Sequence, residues 1–258
     1  MALLQQLVLF MPYVKETKLP QSLTLFWYKM ICFVLGLKIQ IKGNMTSHHP
    51  ALFVANHSSY IDILVLGAIV KGSFISKAEV AKWPFVGWVS KMHNTVFLDR
   101  KALNIHHHKE EITQRLTGLD SLILFPEGTT SDGNRVLPFK SALFSVSELK
   151  IDNKEIYVQP VTIAYTCLDG LPMGRHFRSF YAWYGDMELS SHLLKMLGLG
   201  RVTVDIVFHE PVTFEAYKSR KKLAEHCEQV VRNGLSHTLA DAHVIHKKNF
   251  IKRRLIKG

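Results

Sequence analysis

Short apolar runs that end abruptly in polar residues dominate the hydrophobic pattern of this 258-residue chain. Residues 52–55 are apolar, residues 56–59 are polar, and a second apolar segment spans residues 61–70. The first run predicts a buried strand and the second predicts a helix, so His57 is expected in the turn between them. In α/β proteins such turns at strand ends carry the chemistry.

A second strand-like run, residues 121–125, leads into Pro126, Glu127 and Gly128. Runs rich in Val, Ile, Leu and Phe are typical of parallel sheets, whose strands are buried on both faces. If the two strands are parallel, their carboxyl ends open on one edge, and the turns carrying His57 and Glu127 face one crevice. Gly128 permits a turn that other residues resist and leaves backbone N–H groups free for an anion; a plain surface turn is the alternative.

The remaining pattern predicts an α/β fold, with a mainly parallel central sheet flanked by helices. Pro160 inside one predicted strand indicates an edge or a bulge. The other predicted strands lie at an edge-like segment, 38–43, and within 74–80, 95–98, 156–164 and 202–208, with a strand-like segment ending at 181–186. The predicted helices lie at 104–116, from 138 onward, at 190–197 and at 214–242.

The N-terminal region is apolar, and residues that favour the start and the end of a helix flank its second segment. Residues 1–14 and 23–35 are mostly apolar, and Pro20 and Gly36 flank the second segment. A helix of about 16 residues is about 24 Å long, shorter than the hydrocarbon core of about 30 Å. We expect an N-terminal membrane-associated helical pair, 1–37, that lies in one leaflet, with Lys29 snorkelling to its surface. The alternative is a helix pair packed on the protein core.

Composition and charge exclude some classes of protein and indicate the kind of partner. Hydrophobic residues make up 47% and charged residues 21%, which excludes a disordered chain. A net charge of +11 indicates an anionic partner. The three candidates are an anionic membrane surface, an acidic substrate and a nucleic acid. The three cysteines match no metal or disulfide spacing, and no signal peptide is evident. We expect one α/β domain, 38–246, followed by a basic tail, 247–258, which suits anionic lipid.

His57 and Asp62 form the first candidate for chemistry. An imidazole takes up and returns a proton near neutral pH, and a carboxylate beside it fixes its tautomer. The two side chains can meet only if His57 lies in the turn and Asp62 in the first helical turn. A helix cap by Ser58 or Ser59 with an incidental histidine is the alternative. Lys77 and Lys140, each near the end of a predicted element, either face an anion or are simply solvated.

Two motifs and the blocks between them resemble the lysophosphatidate/glycerolipid acyltransferase family. NHSSYID at 56–62 matches its Asn-His-x4-Asp (HX4D) motif, and FPEGTTS at 125–131 is similar to its Phe-Pro-Glu-Gly-Thr-Arg-Ser motif. FISK at 74–77, VFLDR at 96–100, FK at 139–140 and VQPV at 158–161 match further blocks in the same order. The resemblance covers residues 38–208 and is far more specific than any single motif.

The resemblance implies transfer of an acyl group from an acyl thioester, acyl-CoA or acyl-carrier protein, to a lysolipid hydroxyl. His57 is then the general base and Asp62 its orienting partner. No nucleophile-elbow serine is present, which favours direct attack by the hydroxyl. Backbone N–H groups near Gly128 are expected to bind the oxyanion, and no metal or cofactor is required. The implied acceptor-binding residues are Glu127, Gly128, Thr129, Arg100, Lys77 and Lys140.

One departure bears on the acceptor. Thr130 replaces the family arginine that is expected to bind the acceptor phosphate, and Arg135 is a possible substitute. Residues 131–144 and 181–187 resemble the branch that acylates lyso-ornithine lipids. We predict conversion of 1-acylglycerol-3-phosphate to phosphatidate by a monotopic enzyme on the cytoplasmic face of the inner membrane. A lyso-ornithine lipid acyltransferase and a non-catalytic lipid-binding protein are the alternatives, and nucleic-acid binding is not expected.

Overall fold

The computed structural model describes residues 21–77, 95–98, 109–117 and 120–255. Within these residues a nine-stranded sheet has the path β1-β10-β8-β2-β5-β3-β4, and the short strands β9 and β11 both pair with β8. The strands are β1 (Leu37–Lys42), β2 (Ala51–Ala55), β3 (Gly72–Lys77), β4 (Val96–Leu98), β5 (Ser121–Leu124), β8 (Tyr157–Leu168), β9 (Leu171–Pro172), β10 (Val202–Phe208) and β11 (Val212–Thr213). A separate two-stranded sheet contains β6 (Lys150–Ile151) and β7 (Lys154–Glu155).

The centre of the sheet is parallel, as predicted. β2 pairs in parallel with β5 on one side and with β8 on the other, and β3 is parallel to both β4 and β5. Every residue of β2 and β5 is buried, which explains their continuous apolar composition. Leu52 of β2 lies opposite Leu122 of β5 in this parallel pair, so the carboxyl ends of both strands lie at the same edge of the sheet.

Helices cover both faces of the sheet. They are α1 (Gln21–Val34), α2 (Ile61–Gly67), α3 (Lys109–Thr117), α4 (Arg175–Arg178), α5 (Leu189–Leu197), α6 (Phe214–Tyr217) and α7 (Arg220–Leu255), with a 3₁₀ helix at Ser141–Glu148. One apolar cluster joins α1, α2 and α5 to the sheet through residues such as Phe53. A second cluster joins α3, α7 and the 3₁₀ helix to the opposite face, where Leu52 and Val54 point. This alternation along β2 follows the two-residue period of a strand.

Helix α1 packs on the domain through one side only. Tyr28 and Cys32 are buried, and a Cβ at Gly67 of α2 would lie 2.3 Å from the ring of Tyr28, so glycine allows this close approach. Phe26 and Phe33 are 60% and 80% exposed on the other side. Core packing therefore accounts for one side of α1, and residues 1–20 of the predicted helical pair lie outside the described residues. None of the helices in the described ranges is both long and apolar enough to span a bilayer.

Four predictions about elements were wrong in detail. Pro160 lies in β8, which is an interior strand. On one side of β8 the neighbouring strand changes from β11, which pairs with Val158, to β10, which pairs with Val161. The N–H that proline lacks falls at this change of neighbour. Residues 181–186 contain no strand and consist of turns and irregular chain. The helix expected from 138 is the 3₁₀ helix, and the helix expected at 214–242 is the pair α6 and α7. Helix α7 continues into the predicted basic tail as far as Leu255.

Candidate active site

His57 and Asp62 meet at the carboxyl end of β2. Nδ1 of His57 lies 3.0 Å from Oδ2 of Asp62, because His57 precedes α2 and Asp62 is the second residue of that helix. The geometric condition set by their spacing is therefore met. No side chain caps α2, so the interpretation of Ser58 or Ser59 as a helix cap was wrong.

The carboxylate of Asp62 is buried and fully engaged. The backbone N–H groups of Ser58 and Ser59 donate to Oδ2 at 2.6 and 2.9 Å, and the hydroxyl of Tyr165 donates to Oδ1 at 2.7 Å. Burial and the adjoining carboxylate raise the pKa of Tyr165 well above its ordinary value, which keeps this hydroxyl protonated. Asp62 is therefore locked in a single orientation toward His57.

The turn that carries His57 is also held by its neighbours. The side-chain amide of Asn56 donates to the carbonyl of Ile163 at 2.9 Å and accepts from the N–H of the same residue at 2.8 Å. The ring of His57 stacks on Phe125, with centroids 3.9 Å apart and planes 13° apart. The side chain of His57 is 16% exposed, whereas that of Asp62 is fully buried. Nδ1 faces the carboxylate, so Nε2 is the ring nitrogen left for a substrate, and no residue of the described ranges hydrogen-bonds to it.

Glu127 joins the two motif loops. Its Oε1 accepts the backbone N–H of His57 at 2.8 Å, and its Oε2 accepts the N–H of Leu137 at 3.0 Å. Burial raises the pKa of Glu127 to about 8, and the two N–H bonds act in the opposite direction. The two loops therefore lie side by side, as predicted, and the observed contacts of Glu127 are with backbone. Direct binding of an acceptor by Glu127 stays a prediction.

Gly128 and Lys140 are brought together by the second loop. Gly128 has a φ of +66°, and a Cβ at this position would lie 3.0 Å from Nζ of Lys140. Glycine is thus favoured by the backbone conformation, and a larger residue would also require the flexible end of Lys140 to shift. The N–H of Gly128 donates to the carbonyl of Phe125 at 3.1 Å, so this particular amide is already used within the turn. Thr129, the next residue, is exposed.

The other predicted acceptor contacts are not joined to this group by any observed interaction. Lys77 is the last residue of β3, and Arg100 lies outside the described residues. Thr130 is half-buried, and Arg135 is largely exposed, with Nε 3.9 Å from Oδ1 of Asp132. Acceptor binding by these side chains stays a prediction.

Sequence reasoning missed two residues of the site. Tyr165 lies in β8, and the predicted strand stopped one residue before it. Phe125, which supports the imidazole, was assigned only to the end of a strand. The positioning role of Tyr165 left no signal in the sequence, since a buried tyrosine in a strand is ordinary core. Among the described residues, no three His, Cys, Asp or Glu side chains cluster closely enough to hold a metal ion.

Comparison with known proteins agrees with this geometry. A family model described as Acyltransferase matches residues 36–164. A lyso-ornithine lipid O-acyltransferase of Brucella abortus is 43% identical over 211 residues, which are 80% of this chain and 79% of that protein. The chain belongs to the acyltransferase family. The family resemblance found in the motifs is thereby confirmed, and the protein is an acyltransferase.

Two further similarities extend the comparison. A 1-acyl-sn-glycerol-3-phosphate acyltransferase of Neisseria gonorrhoeae is 28% identical over 201 residues, which are 77% of this chain and 74% of that protein. The crystal structure of the 1-acyl-sn-glycerophosphate (LPA) acyltransferase PlsC from Thermotoga maritima superposes with a TM-score of 0.59 at 26% identity. That match covers 84% of this acyltransferase and 78% of PlsC, so both share the α/β fold.

Replacing Tyr165 by Phe tests whether its hydroxyl positions Asp62. Loss of a hydrogen bond to a charged group, about 1.5–3 kcal/mol, predicts at least a tenfold fall in kcat with KM little changed.

Tyr181→Phe is the matched control for Tyr165→Phe. Tyr181 is also buried and stacks on Tyr165, with centroids 6.0 Å apart, but its hydroxyl has no hydrogen-bond partner in the described part of the chain. Equal kinetics in the two variants would show that the Tyr165 hydroxyl has no positioning role.

Replacing Glu127 by Gln tests the link between the loops. Below pH 4.5, where Glu127 contributes its full stability, the amide oxygen of Gln can accept one N–H but the amide nitrogen faces the other donor, so we expect a loss of about 1–3 kcal/mol of unfolding free energy. Turnover should fall as well, because the link between the two loops is weakened. In Glu228→Gln, the amide oxygen can still accept the N–H of Phe139, and only the surface ion pair with Arg232 is lost. That control should lose less stability and keep its turnover.

The pH dependence of unfolding gives a second measurement on Glu127→Gln. The pKa of Glu127 is raised from 4.5 to about 8, so folding favours the protonated acid. The stability that it contributes is complete below pH 4.5 and is lost as the pH rises through 8. The wild type should therefore lose stability relative to Glu127→Gln across this window. A constant difference between the two proteins would contradict the raised pKa.

Proposed function

We propose that this acyltransferase moves a fatty acyl group from an acyl thioester to the free hydroxyl of a lysolipid, and that the acceptor is a lyso-ornithine lipid. The contact between Nδ1 of His57 and the buried carboxylate of Asp62 is the observation that carries the chemistry. The acceptor rests on the relatives, since proteins named lyso-ornithine lipid O-acyltransferase are 34–43% identical to this chain. The Neisseria lysophosphatidate relative is 28% identical.

The reaction follows from the orientation of the imidazole. Asp62 accepts a hydrogen bond from Nδ1–H, so the unprotonated Nε2 of His57 takes the proton of the lysolipid hydroxyl. The hydroxyl oxygen then forms a bond to the thioester carbonyl carbon, and the carbon–sulfur bond breaks. The departing thiolate receives the proton from Nε2, which restores the neutral imidazole and leaves an ester and a thiol. This direct attack uses no acyl-enzyme intermediate.

The oxyanion of the tetrahedral intermediate is assigned to backbone amides that follow Gly128. The N–H of Gly128 is occupied, whereas those of Thr129 and Thr130 have no acceptor in the described ranges. A left-handed glycine followed by free amides is the arrangement that turns backbone N–H groups toward an anion. We therefore assign the oxyanion site to the backbone amides of Thr129 and Thr130 and not to that of Gly128.

We assign the preference for an amino-acid headgroup over a phosphate headgroup to Thr130. An arginine at this place presents a planar fork that suits a phosphate, whereas a threonine hydroxyl offers one neutral hydrogen bond. The amino-acid headgroup of a lyso-ornithine lipid has a carboxylate and an ammonium group instead of a phosphate. Lysophosphatidate is the second candidate acceptor, with Arg135 in the place of the missing arginine.

The enzyme is proposed to act as a monotopic protein on the cytoplasmic face of the inner membrane, where acyl-CoA and acyl-carrier protein are available as donors. The exposed Phe26 and Phe33 of α1 support attachment in one leaflet. The net charge of +11 and the basic C-terminal residues support attraction to anionic lipid.

A transfer assay with purified protein tests the reaction and the acceptor together. Radiolabelled acyl-CoA or acyl-carrier protein is mixed with lyso-ornithine lipid or lysophosphatidate. We expect labelled ornithine lipid as the main product and a rate loss of about 10²–10⁴ in His57→Ala, because the general base is removed. Unchanged turnover in His57→Ala would falsify the mechanism, and binding of lysolipid without consumption of thioester would favour a non-catalytic lipid-binding protein.

Replacing Thr130 by Arg tests the headgroup assignment. A charged hydrogen bond contributes about 1.5–3 kcal/mol, so the ratio of kcat/KM for lysophosphatidate to that for lyso-ornithine lipid should rise at least tenfold. Thr130→Gln adds a long side chain without the charge and should leave the ratio near that of the wild type. If Thr130→Arg leaves the ratio unchanged while it still turns over substrate, the headgroup is bound elsewhere.

A further inference from the structure

The segment 174–197 exposes large apolar side chains beside the candidate active site. Phe177 and Phe180 are 53% and 51% exposed, with ring centroids 6.0 Å apart. On α5, Leu194 and Leu197 are 65% and 39% exposed, while Met196 of the same helix is buried in the core. The four outward side chains therefore do not stabilise the fold by packing, since their neighbours already fill the core.

This segment is tied to both loops of the active site. The backbone N–H of Trp183 donates to the carbonyl of Ser58 at 2.8 Å, next to His57. Nε of Arg178 donates to Oδ1 of Asn134 at 2.8 Å, and Asn134 lies three residues after the second motif. Phe177 and Phe180 are close in sequence to Arg178, so the aromatic pair is held near the two motif loops.

The exposed side chains stand on a rigid base. Nη1 of Arg178 donates to the carbonyl of Met173 at 2.9 Å, and Arg178 is only 6% exposed. The hydroxyl of Tyr60 is 3.1 Å from Nδ1 of His192, which joins the start of α2 to α5. A buried arginine and a buried histidine thus fix elements whose outer side is apolar.

The two faces of the molecule differ in their outer surfaces. Within the described residues, most of the large hydrophobic side chains that are exposed belong to α1 or to the segment 174–197, which cover the same face of the sheet. Over the other face, residues 220–244 of α7 expose Val244 and otherwise mainly polar side chains. A partner that contacts the apolar face must itself be broad and apolar.

We propose that the segment 174–197 is a second membrane-contacting element, whose side chains Phe177, Phe180, Leu194 and Leu197 enter the lipid surface that supplies the acceptor. The inference rests on the proposed function, because a lysolipid acceptor is held in a bilayer. Aromatic and aliphatic side chains beside exposed Arg175 and Lys195 are the composition of an interfacial element.

Charge does not drive this contact. Exposed Arg175 and Lys195 are balanced by exposed Asp186 and Glu188 in the same segment. The attraction therefore rests on apolar side chains, and the contribution of this segment to vesicle binding should change little with salt. Binding through the basic C-terminal residues, in contrast, should weaken as salt is added.

The test compares the full-length wild type with the double variant Phe177→Ser/Phe180→Ser on vesicles of phosphatidylcholine and phosphatidylglycerol. Both rings are more than half exposed, so the folded core is unaffected. We expect the vesicle partition coefficient to fall about tenfold or more, and the apparent KM for a lysolipid in vesicles to rise. Turnover of the same lysolipid dispersed in detergent should stay at the wild-type level.

A matched control and a direct probe complete the experiment. Met45→Ser removes an apolar side chain that is 47% exposed in the loop between β1 and β2, at the edge of the sheet opposite the carboxyl end of β2, and should leave partitioning unchanged. In Phe180→Trp, the added indole should be quenched by brominated phosphatidylcholine, whereas the added indole of Met45→Trp should not.

Each other outcome overturns the inference. Unchanged partitioning of the double variant excludes contact with the bilayer. Equal loss of turnover in detergent assigns the two phenylalanines to the acceptor site, and a changed oligomeric state assigns them to a second copy of the chain. If the wild type transfers no acyl group to any acceptor, the proposed function fails, while the partition measurement still decides this inference independently.

Discussion

The burial of the Asp62 carboxylate is the constraint on which the rest of the site depends. An ionised carboxylate withdrawn from water costs several kcal/mol unless donors replace the lost water. Here the donors are two backbone N–H groups of the turn, the Tyr165 hydroxyl and the His57 ring. Asp62 is stable only when the turn, α2 and β8 are all in place. The geometry of the imidazole is therefore a consequence of folding and does not have to be created when substrate binds.

The same constraint explains why this turn lies at the middle of the sheet. β2 has β8 on one side and β5 on the other, and each neighbour supplies one support. From the β8 side, the backbone of Ile163 binds the side chain of Asn56, and the side chain of Tyr165 binds Asp62. From the β5 side, Glu127 binds the backbone of His57. A turn at the edge of the sheet would have only one such neighbour.

The sequence was sufficient for the parts that depend on local pattern. Continuous apolar runs identified β2 and β5 as parallel strands, and the spacing of His57 and Asp62 required the turn and helix that the structure has. Tyr165 and the backbone contacts of Glu127 were not predictable, since each depends on which strand lies beside β2 and on which face it points. Pro160 misled for a similar reason: a missing N–H is tolerated inside a sheet where the neighbouring strand changes, and only the topology shows such a place. Residues 181–186 were misassigned because aromatic residues in a buried turn resemble a strand.

The residues that support the pair of His57 and Asp62 are buried, whereas several residues of the surrounding loops are exposed. Asn56, Asp62 and Glu127 are buried and hydrogen-bonded, so a change at any of them is penalised through folding before catalysis is considered. Thr129, Arg135 and Lys140 are exposed on the loops around the same crevice, where substitutions cost little stability. Under the proposed function, a change of acceptor requires substitutions only in the loop around Thr130, because nothing in the burial of Asp62 depends on which headgroup lies outside it.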